Sequence, residues 1–330
     1  MKTRDHRLFA NLALLMLLTL SVGCGGEEDE TMETPDSPVA AAATAVSGDA
    51  PSMDEIAHTL FSGILEEPVQ LSDGSWEGEP FVEGGVSAPA VGLVRPFHLT
   101  GDITGDGHDE SVVLLWTSSG GSGTFDYLAV CGRSAEGITN PGTAEIGDRV
   151  QVRRGRIVDG RIELDVLQAG PEDAACCPTQ LATRIWEMGS EGLIEISSEI
   201  SGTMSMAELR GPEWVLTDLA WNESAPMEPE VTLVFEEDRI TGKAGCNGYF
   251  GGIEEGGDMP SSISIGHLGA TRMMCSEEIM AVEDRFVTQL TAVTSYSFLA
   301  GRLALSWQND QSAGVMLFAP REPETASPDS

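Results

Sequence analysis

The segment from Asp102 to Glu110 has the residue types and the spacing most suited to chemistry, because it repeats oxygen donors within a glycine-rich stretch. Its first, third, fifth and ninth places carry carboxylates or a hydroxyl. A backbone carbonyl stands at the seventh place, and Gly107 at the sixth would allow a sharp turn. This order of donors is typical of calcium-binding loops. The ligands would be Asp102, Thr104, Asp106, His108 through its carbonyl, and Glu110.

Two residues depart from the calcium pattern. Thr104 stands where Asp or Asn is usual, and the twelfth place is Val113 instead of a bidentate Glu. Calcium affinity would therefore fall in the range of extracellular modules, on the order of 10⁻⁴ to 10⁻³ M. The alternative interpretation is an acidic hairpin turn that holds no metal. Calcium is the one cofactor that the sequence suggests.

A second group of reactive side chains is the adjacent pair Cys176 and Cys177. An enzyme, most simply a hydrolase, would combine this loop with Asp102, Asp106 and His108. However, the histidines beyond the N-terminal region occur singly, and the sequence contains no zinc-protease helix motif, Cys-x-x-Cys motif or recognisable triad. We therefore expect no catalytic residues and keep a hydrolase as the alternative to a binding or structural role.

The charge balance excludes one class of partner. The 330 residues include 53 acidic and 18 basic side chains, which gives a formal net charge of −35. Nucleic-acid phosphates would repel such a chain, so we expect no nucleic-acid partner. The 41% share of hydrophobic residues and the length fit about two folded domains.

The N-terminus has the features of a targeting signal. A basic start and an apolar run over residues 8–22 lead to Leu-Ser-Val-Gly before Cys24. This order resembles a bacterial lipoprotein signal, in which the chain is cleaved before the cysteine and the thiol is acylated. The resemblance implies a signal peptide over residues 1–23 and a lipid-anchored protein of the bacterial envelope, at the outer membrane. An ordinary secretory signal with a chance cysteine is the alternative.

The rest of the chain divides by composition into a tether, two bodies and a tail. Residues 24–53 are acidic or rich in Thr, Pro, Ser and Ala, and residues 321–330 are polar, so neither segment could fill a core. Between them, residues 54–210 and 211–320 alternate strand-like runs with turns.

Periodicity predicts the elements within the two bodies. In the first body, alternation with period two predicts antiparallel strands with one dry face and one wet face, and residues 53–65 look helical. In the second body, Ser276 is the expected N-cap of a single helix with apolar residues at spacings of three and four. That stripe consists of Ile279, Val282, Phe286, Leu290 and Val293. The sequence therefore predicts an α+β, β-rich protein of two domains.

Two short blocks in the second body carry a family resemblance. They are Gly-Cys-Asn-Gly over residues 245–248 and Thr-Arg-Met-Met-Cys over residues 271–275, followed by an acidic-capped helix with Glu283. In this order the blocks resemble the META domain, also called the HslJ-like domain, over about residues 211–320. The resemblance implies a partly open antiparallel β-barrel with a single helix, of the kind found in bacterial envelope lipoproteins. It implies no known reaction.

The other cysteines suggest disulfides, as expected in an oxidising envelope. Cys246 would pair with Cys275, and closing that loop would stabilise the fold by about 3 kcal/mol. Adjacent cysteines do not bond easily without a strained peptide, so Cys131 is expected to pair with Cys176 or with Cys177. One thiol of the adjacent pair would then stay free.

Arginines form the last group of interest. Five of them lie between residues 149 and 161, where we expect a solvent face that offsets neighbouring carboxylates, with an anion site as the alternative. Arg272 is expected to pair with a surface carboxylate, with a role as a ligand-binding cation as the alternative.

The combined expectation is a lipid-anchored envelope protein without catalytic activity, linked to envelope stress. Its partners would be the bilayer, through acylated Cys24, and an apolar small molecule or envelope protein held in a groove of the META-like barrel.

Overall fold

The computed structural model describes residues 49–121, 123–174, 176–221, 223–257 and 259–321. The expected signal peptide, Cys24, most of the tether and the tail after Arg321 lie outside the described residues. The final stretch of the expected tether, from Asp49 to Met53, is described, and Pro51 within it is buried. Within the described part, no helix combines the length and the apolarity needed to cross a membrane.

An antiparallel sheet of five strands, in chain order, forms the first part of the body. Its strands are β3 (Ser75–Glu77), β4 (Ala90–Gly101), β5 (Glu110–Ser118), β6 (Phe125–Ser134) and β7 (Gly137–Asp148). A preceding segment packs against one face of this sheet. That segment consists of helix α1 (Met53–Ile56) and a small hairpin of β1 (Leu60–Phe61) and β2 (Val69–Gln70).

The central strand β5 is buried on both faces, contrary to the expected dry and wet faces. Val113 and Leu115 pack with Phe61 of the preceding segment, whereas Val112 and Leu114 face the next sheet. Because both faces are covered, the strand is a continuous apolar run from Val112 to Leu115.

A second antiparallel sheet lies against the first and has four strands in the order β11-β10-β9-β8. The strands are β8 (Gln151–Val158), β9 (Arg161–Gln168), β10 (Gln180–Gly189) and β11 (Gly192–Thr203). Ile162, Leu164 and Trp186 are fully buried against the first sheet. A short 3₁₀ helix, Met206–Leu209, leads out of this sheet.

The C-terminal part is a barrel-like antiparallel sheet of ten strands. The main path runs β17-β16-β15-β14-β12-β21-β20-β19, with β13 beside β12 and β18 beside β16. The strands are β12 (Glu213–Ala220), β13 (Glu223–Ser224), β14 (Thr232–Phe235), β15 (Arg239–Lys243), β16 (Gly248–Glu255), β17 (Ile263–Ile265), β18 (Gly269–Ala270), β19 (Val293–Leu299), β20 (Arg302–Gln308) and β21 (Ala313–Arg321).

The barrel is nearly closed between β17 and β19. A single bridge joins Ser262 to Ser295, and the Tyr296 amide donates to the Ser261 carbonyl at 3.1 Å. Helix α2 (Glu277–Leu290) buries Phe286 and Leu290 in the barrel core. The predicted α+β, β-rich class and the partly open barrel with one helix are therefore confirmed.

The helix boundaries differ from the predicted ones. Helix α1 is a single turn that ends at Ile56 instead of extending to residue 65. Ser52 and Glu55 form a capping box that starts it, but Phe61 reaches the core from a strand, so sheet packing overrides the helical pattern. Val293 belongs to β19 and not to the helical stripe.

The strands on either side of residue 211 pack together. Gln151 Oε1 accepts the Phe298 amide at 2.9 Å, and the Val152 carbonyl accepts the Gly301 amide at 2.9 Å. All of the described residues fall within one compact unit, Thr44–Ser330. These contacts bring β8 beside the β19–β20 hairpin, and residues of both elements line a cleft there.

Candidate functional site

The expected calcium loop is the connection between β4 and β5, and its carboxylates are engaged within the loop. Asp102 Oδ1 accepts the Gly105 amide at 2.7 Å, and its Oδ2 accepts the Gly107 amide at 3.1 Å. Asp106 accepts the His108 amide at 2.8 Å. Gly107 has a φ of 88°, so the sharp turn expected there is present.

Glu110 is buried beneath the same loop, and its carboxylate accepts hydrogen bonds from the loop. Its Oε2 accepts the amides of Ile103 at 2.8 Å and Thr104 at 3.0 Å, and its Oε1 accepts the Thr104 hydroxyl at 3.1 Å. Across the described residues, no group of three or more His, Cys, Asp or Glu side chains is arranged to hold a metal ion. Asp102, Asp106 and Glu110 therefore order an acidic turn through hydrogen bonds within the loop, and calcium binding by Asp102, Thr104, Asp106, His108 and Glu110 stays a prediction.

The expected bridge from Cys131 to Cys176 is wrong. Cys131 is a free thiol on β6, fully buried between the first sheet and the segment before it. Cys176 is bonded to Cys177, in the connection between β9 and β10. Because Cys131 lies inside a core that Cys176 does not reach, the two adjacent cysteines pair with each other. Burial raises the pKa of the Cys131 thiol to about 12, so it remains protonated and unreactive.

Cys246 and Cys275 form a disulfide with a Cα–Cα distance of 6.1 Å, which is the pairing that the sequence analysis proposed. Beside it, Asn247 joins the two family blocks. Its Oδ1 accepts the Met273 amide at 2.6 Å and the Thr271 hydroxyl at 2.8 Å. The disulfide and the side-chain amide of Asn247 together fix the loop of residues 271–275 to the turn before β16.

Glu283 of helix α2 holds Asn247 in place through two hydrogen bonds. It is 7% exposed, and its two oxygens accept the Asn247 amide and the Asn247 Nδ2 group, each at 2.9 Å. Sequence reasoning noted Glu283 but gave it no role. A signal was present, since Glu283 lies three residues before Phe286 on the buried stripe of the helix, where a charged group needs a partner.

The anchored loop presents exposed side chains. Met273 and Met274 are 56% and 96% exposed. Arg272 is also exposed, and in the described part of the chain it makes no ion pair, so the carboxylate partner expected for it is absent there.

A cleft of about 560 Å³ opens where the second sheet meets the barrel, and we call it the arginine cleft. Its apolar surface includes the rings of Phe97, Trp214 and Phe298, all buried. Its charged side chains are Arg153, Arg154, Arg210, Arg302, Asp165 and Glu208. The volume falls within the roughly 300–1,000 Å³ of typical small-molecule sites.

Local structure positions the cleft residues. Ala300 and Gly301 have φ values of 51° and 84°, which fit the tight turn joining β19 to β20. The turn places Phe298 and Arg302 on either side of it at the cleft. Trp214 Nε1 donates to the Leu209 carbonyl at 2.8 Å, so the polar atom of the indole is satisfied while the buried ring forms part of the cleft wall.

The arginines between residues 149 and 161 divide between two environments. Arg156 pairs with Glu163 at 2.6 Å and with Asp165 at 3.0 Å, as expected for a solvent face. Arg153 instead lines the cleft, with its guanidinium 5.3 Å from the Phe298 ring centre and in an ion pair with Glu208. The solvent-face interpretation therefore holds for only part of this group.

The loop residues of the hydrolase alternative, Asp102, Asp106 and His108, do not line the pocket that contains Cys176 and Cys177. His108 lines neither the arginine cleft nor the smaller pocket beside Cys176 and Cys177. At the cleft edge, His98 Nε2 lies 2.9 Å from Ser111 Oγ. However, Ser111 is fully buried and its hydroxyl donates to the Pro51 carbonyl at 2.5 Å, so His98 donates to the hydroxyl instead of accepting its proton.

Comparison with known protein families finds a match in the C-terminal part of the chain. The family model of the META domain matches residues 207–322. A solved structure described as the NMR structure of the protein from Burkholderia xenovorans is similar at 22% identity and a TM-score of 0.28, over 35% of this chain and 85% of its own. No curated protein matches the chain. The C-terminal barrel therefore lies within a segment that matches the META domain family, as the Gly-Cys-Asn and Thr-Arg-Met-Met-Cys blocks predicted.

Proposed function

We propose that the protein is a lipid-anchored envelope protein that binds an apolar small molecule in the arginine cleft and carries out no reaction on it. The observation that supports this role is the composition of the cleft. The buried rings of Phe97, Trp214 and Phe298 line it, while its carboxylates are engaged in ion pairs or hydrogen bonds. A site of this kind provides apolar contact and orientation, but it offers no activated nucleophile.

Binding is tested with N-phenyl-1-naphthylamine, a neutral dye whose fluorescence rises in apolar sites. We expect saturable binding to the wild-type protein. The variant Ala207→Trp should abolish it, because Ala207 lines the cleft and a bulky ring would fill that space. Ala313→Trp is the matched control, since Ala313 is exposed on β21 and outside the cleft. Pro320→Trp offers a second obstruction if Ala207→Trp does not fold.

Unchanged dye binding in both folded cleft variants would contradict the binding role. The anchor is tested separately with Cys24→Ser in the full chain. The variant should leave the membrane fraction and yield no fatty acid, whereas a variant that still fractionates with membranes would contradict lipid anchoring.

A further inference from the structure

The arginine cleft concentrates positive charge in a strongly acidic protein. The chain has a net charge of −35, yet four arginines and two carboxylates line this cleft. The arginines are Arg153, Arg154, Arg210 and Arg302. Arginines therefore outnumber carboxylates along the cleft wall, although acidic residues outnumber basic residues in the chain as a whole.

The two carboxylates in the cleft are already occupied. Asp165 accepts from Arg156 at 3.0 Å and from the Thr183 hydroxyl at 2.8 Å, and Glu208 pairs with Arg153. Arg302 pairs with Asp218 at 3.1 Å, and Arg154 also has an interaction partner. Arg210 is therefore the cleft arginine that the proposal uses as an unpaired charge.

Arg210 is held in place without being neutralised. Its Nε donates to the Glu236 carbonyl at 3.2 Å and its Nη2 donates to the Glu237 carbonyl at 3.1 Å. These are main-chain oxygens, and within the described chain Arg210 makes no ion pair with a carboxylate. A positioned guanidinium with its charge unpaired is suited to an anionic group on a ligand.

Arg153 provides a hydrogen-bond donor in the arginine cleft that lacks an acceptor among the described residues. Its Nε is buried and has no hydrogen-bond acceptor among the described residues. Its guanidinium lies over Phe298, which places cationic and aromatic surface together. Buried donors normally have a partner, so an unpaired one at a cleft invites an acceptor from outside the chain.

We propose that the arginine cleft selects soluble organic anions, in which a ring system meets Phe97, Trp214 and Phe298 while a carboxylate, sulfonate or phosphate meets Arg210 and Arg153. This inference rests on the proposed function, because it specifies the ligand class of the same site. It adds that charge, and not apolar contact alone, decides what binds.

Two dyes with closely similar ring systems separate the two claims. 8-Anilinonaphthalene-1-sulfonate carries a sulfonate, and N-phenyl-1-naphthylamine carries no charge. We expect the folded wild-type protein to bind the sulfonate at least about tenfold more tightly, as a charge-assisted contact would give, and to lose that preference at high salt. Equal affinities would overturn the anion proposal alone, whereas failure of both dyes would overturn the proposed function with it.

Arginine variants locate the preference. Arg210→Gln should weaken binding of the sulfonate about fivefold to tenfold and leave binding of the neutral dye unchanged. Arg272→Gln is the matched control, because Arg272 is also exposed and also unpaired in the described chain but does not line the cleft. Equal losses in the two variants would overturn the proposal, since the effect would then come from net charge.

The source of the anion is tested by displacement of the bound sulfonate dye. Naphthalene-1-sulfonate and naphthalene-1-carboxylate in solution should displace it. Vesicles of phosphatidylglycerol should not, because the acidic surface of the protein would be repelled by them. Displacement by the vesicles and not by the soluble anions would overturn the assignment in favour of a lipid surface.

Discussion

Two buried glutamates organise the two loops that the sequence singled out, and they do so over different distances. Glu110 is 4% exposed and binds Ile103 and Thr104 within its own hairpin. Glu283 is 7% exposed and binds Asn247, 36 residues away in the chain. Both carboxylates accept hydrogen bonds from the main chain, so each replaces water with protein donors.

The difference shows how a motif relates to its structure. The hairpin of Glu110 satisfies the Glu110 carboxylate with donors from residues 102–110 alone. The network of Glu283 extends through Asn247 to the loop at Met273 and is reinforced by the disulfide. The loop of residues 271–275 is therefore held in place only when the barrel and helix α2 are assembled.

Removal of the long-range disulfide should have the largest effect. The double variant Cys246→Ser, Cys275→Ser opens a loop with a sequence separation of 29 and should lose about 3 kcal/mol of unfolding free energy, as chain entropy predicts. The matched control is Cys176→Ser, Cys177→Ser, where the separation is 1 and little entropy is involved. Urea denaturation measures both, and equal losses would show that loop closure is not the cause.

The next effect should come from Glu283→Gln. The amide keeps one acceptor oxygen but places a donor against Asn247 Nδ2, so we expect a loss of about 2 kcal/mol. The neighbouring Asp284→Asn is the control, because Asp284 is exposed and accepts the Thr288 hydroxyl with its main-chain carbonyl, which the substitution keeps. Hydrogen exchange should also speed up at the Met273 amide, and an unchanged rate there would disconnect Glu283 from that loop.

Glu110→Gln should cost less, about 1 kcal/mol, because the hairpin is local and its tip is exposed. Exchange should speed up at the Ile103 and Thr104 amides and stay unchanged at Met273. Asp109→Asn, an exposed neighbour, should change neither stability nor exchange. A loss as large as that of Glu283→Gln would remove the distinction between local and long-range networks.

A third carboxylate, Asp126, shows how the pKa rises when a carboxylate away from bulk water accepts few hydrogen bonds. It accepts one backbone amide, from Val150, and burial together with nearby Asp148 raises its pKa from 3.8 to about 7. Between those values the folded state holds a proton that the unfolded state releases, so the contribution of Asp126 to stability falls as pH rises through this window. Above the window, the buried charge is destabilising.

Asp126→Asn should therefore stabilise the protein by up to about 1 kcal/mol near pH 8, since the side chain is only half-buried and solvent screens part of its charge. The gain should disappear below about pH 4, where both states of the wild type are protonated. Thermal melts across this range measure it, and a gain that is independent of pH would assign the effect to packing instead of charge.

The sequence by itself determined the β-rich class, the META domain and its single helix. It also predicted the pairing of Cys246 with Cys275. These features could be predicted because periodicity reflects local geometry and because the short motifs are typical of the family. The sequence misjudged Cys131, since burial between two layers depends on which strands stack. It misjudged α1 because packing on a sheet outweighs helix propensity over a single turn.

Only the tertiary structure decided the arginine cleft. Phe97, Arg153, Arg210 and Phe298 come from elements far apart in the chain, and no spacing in the sequence connects them. The charge of each arginine could be read from the sequence, but its partner could not. Whether a guanidinium is neutralised by a carboxylate or held by a main-chain carbonyl depends on contacts within a few ångströms, which form only when the two sheets pack against the barrel.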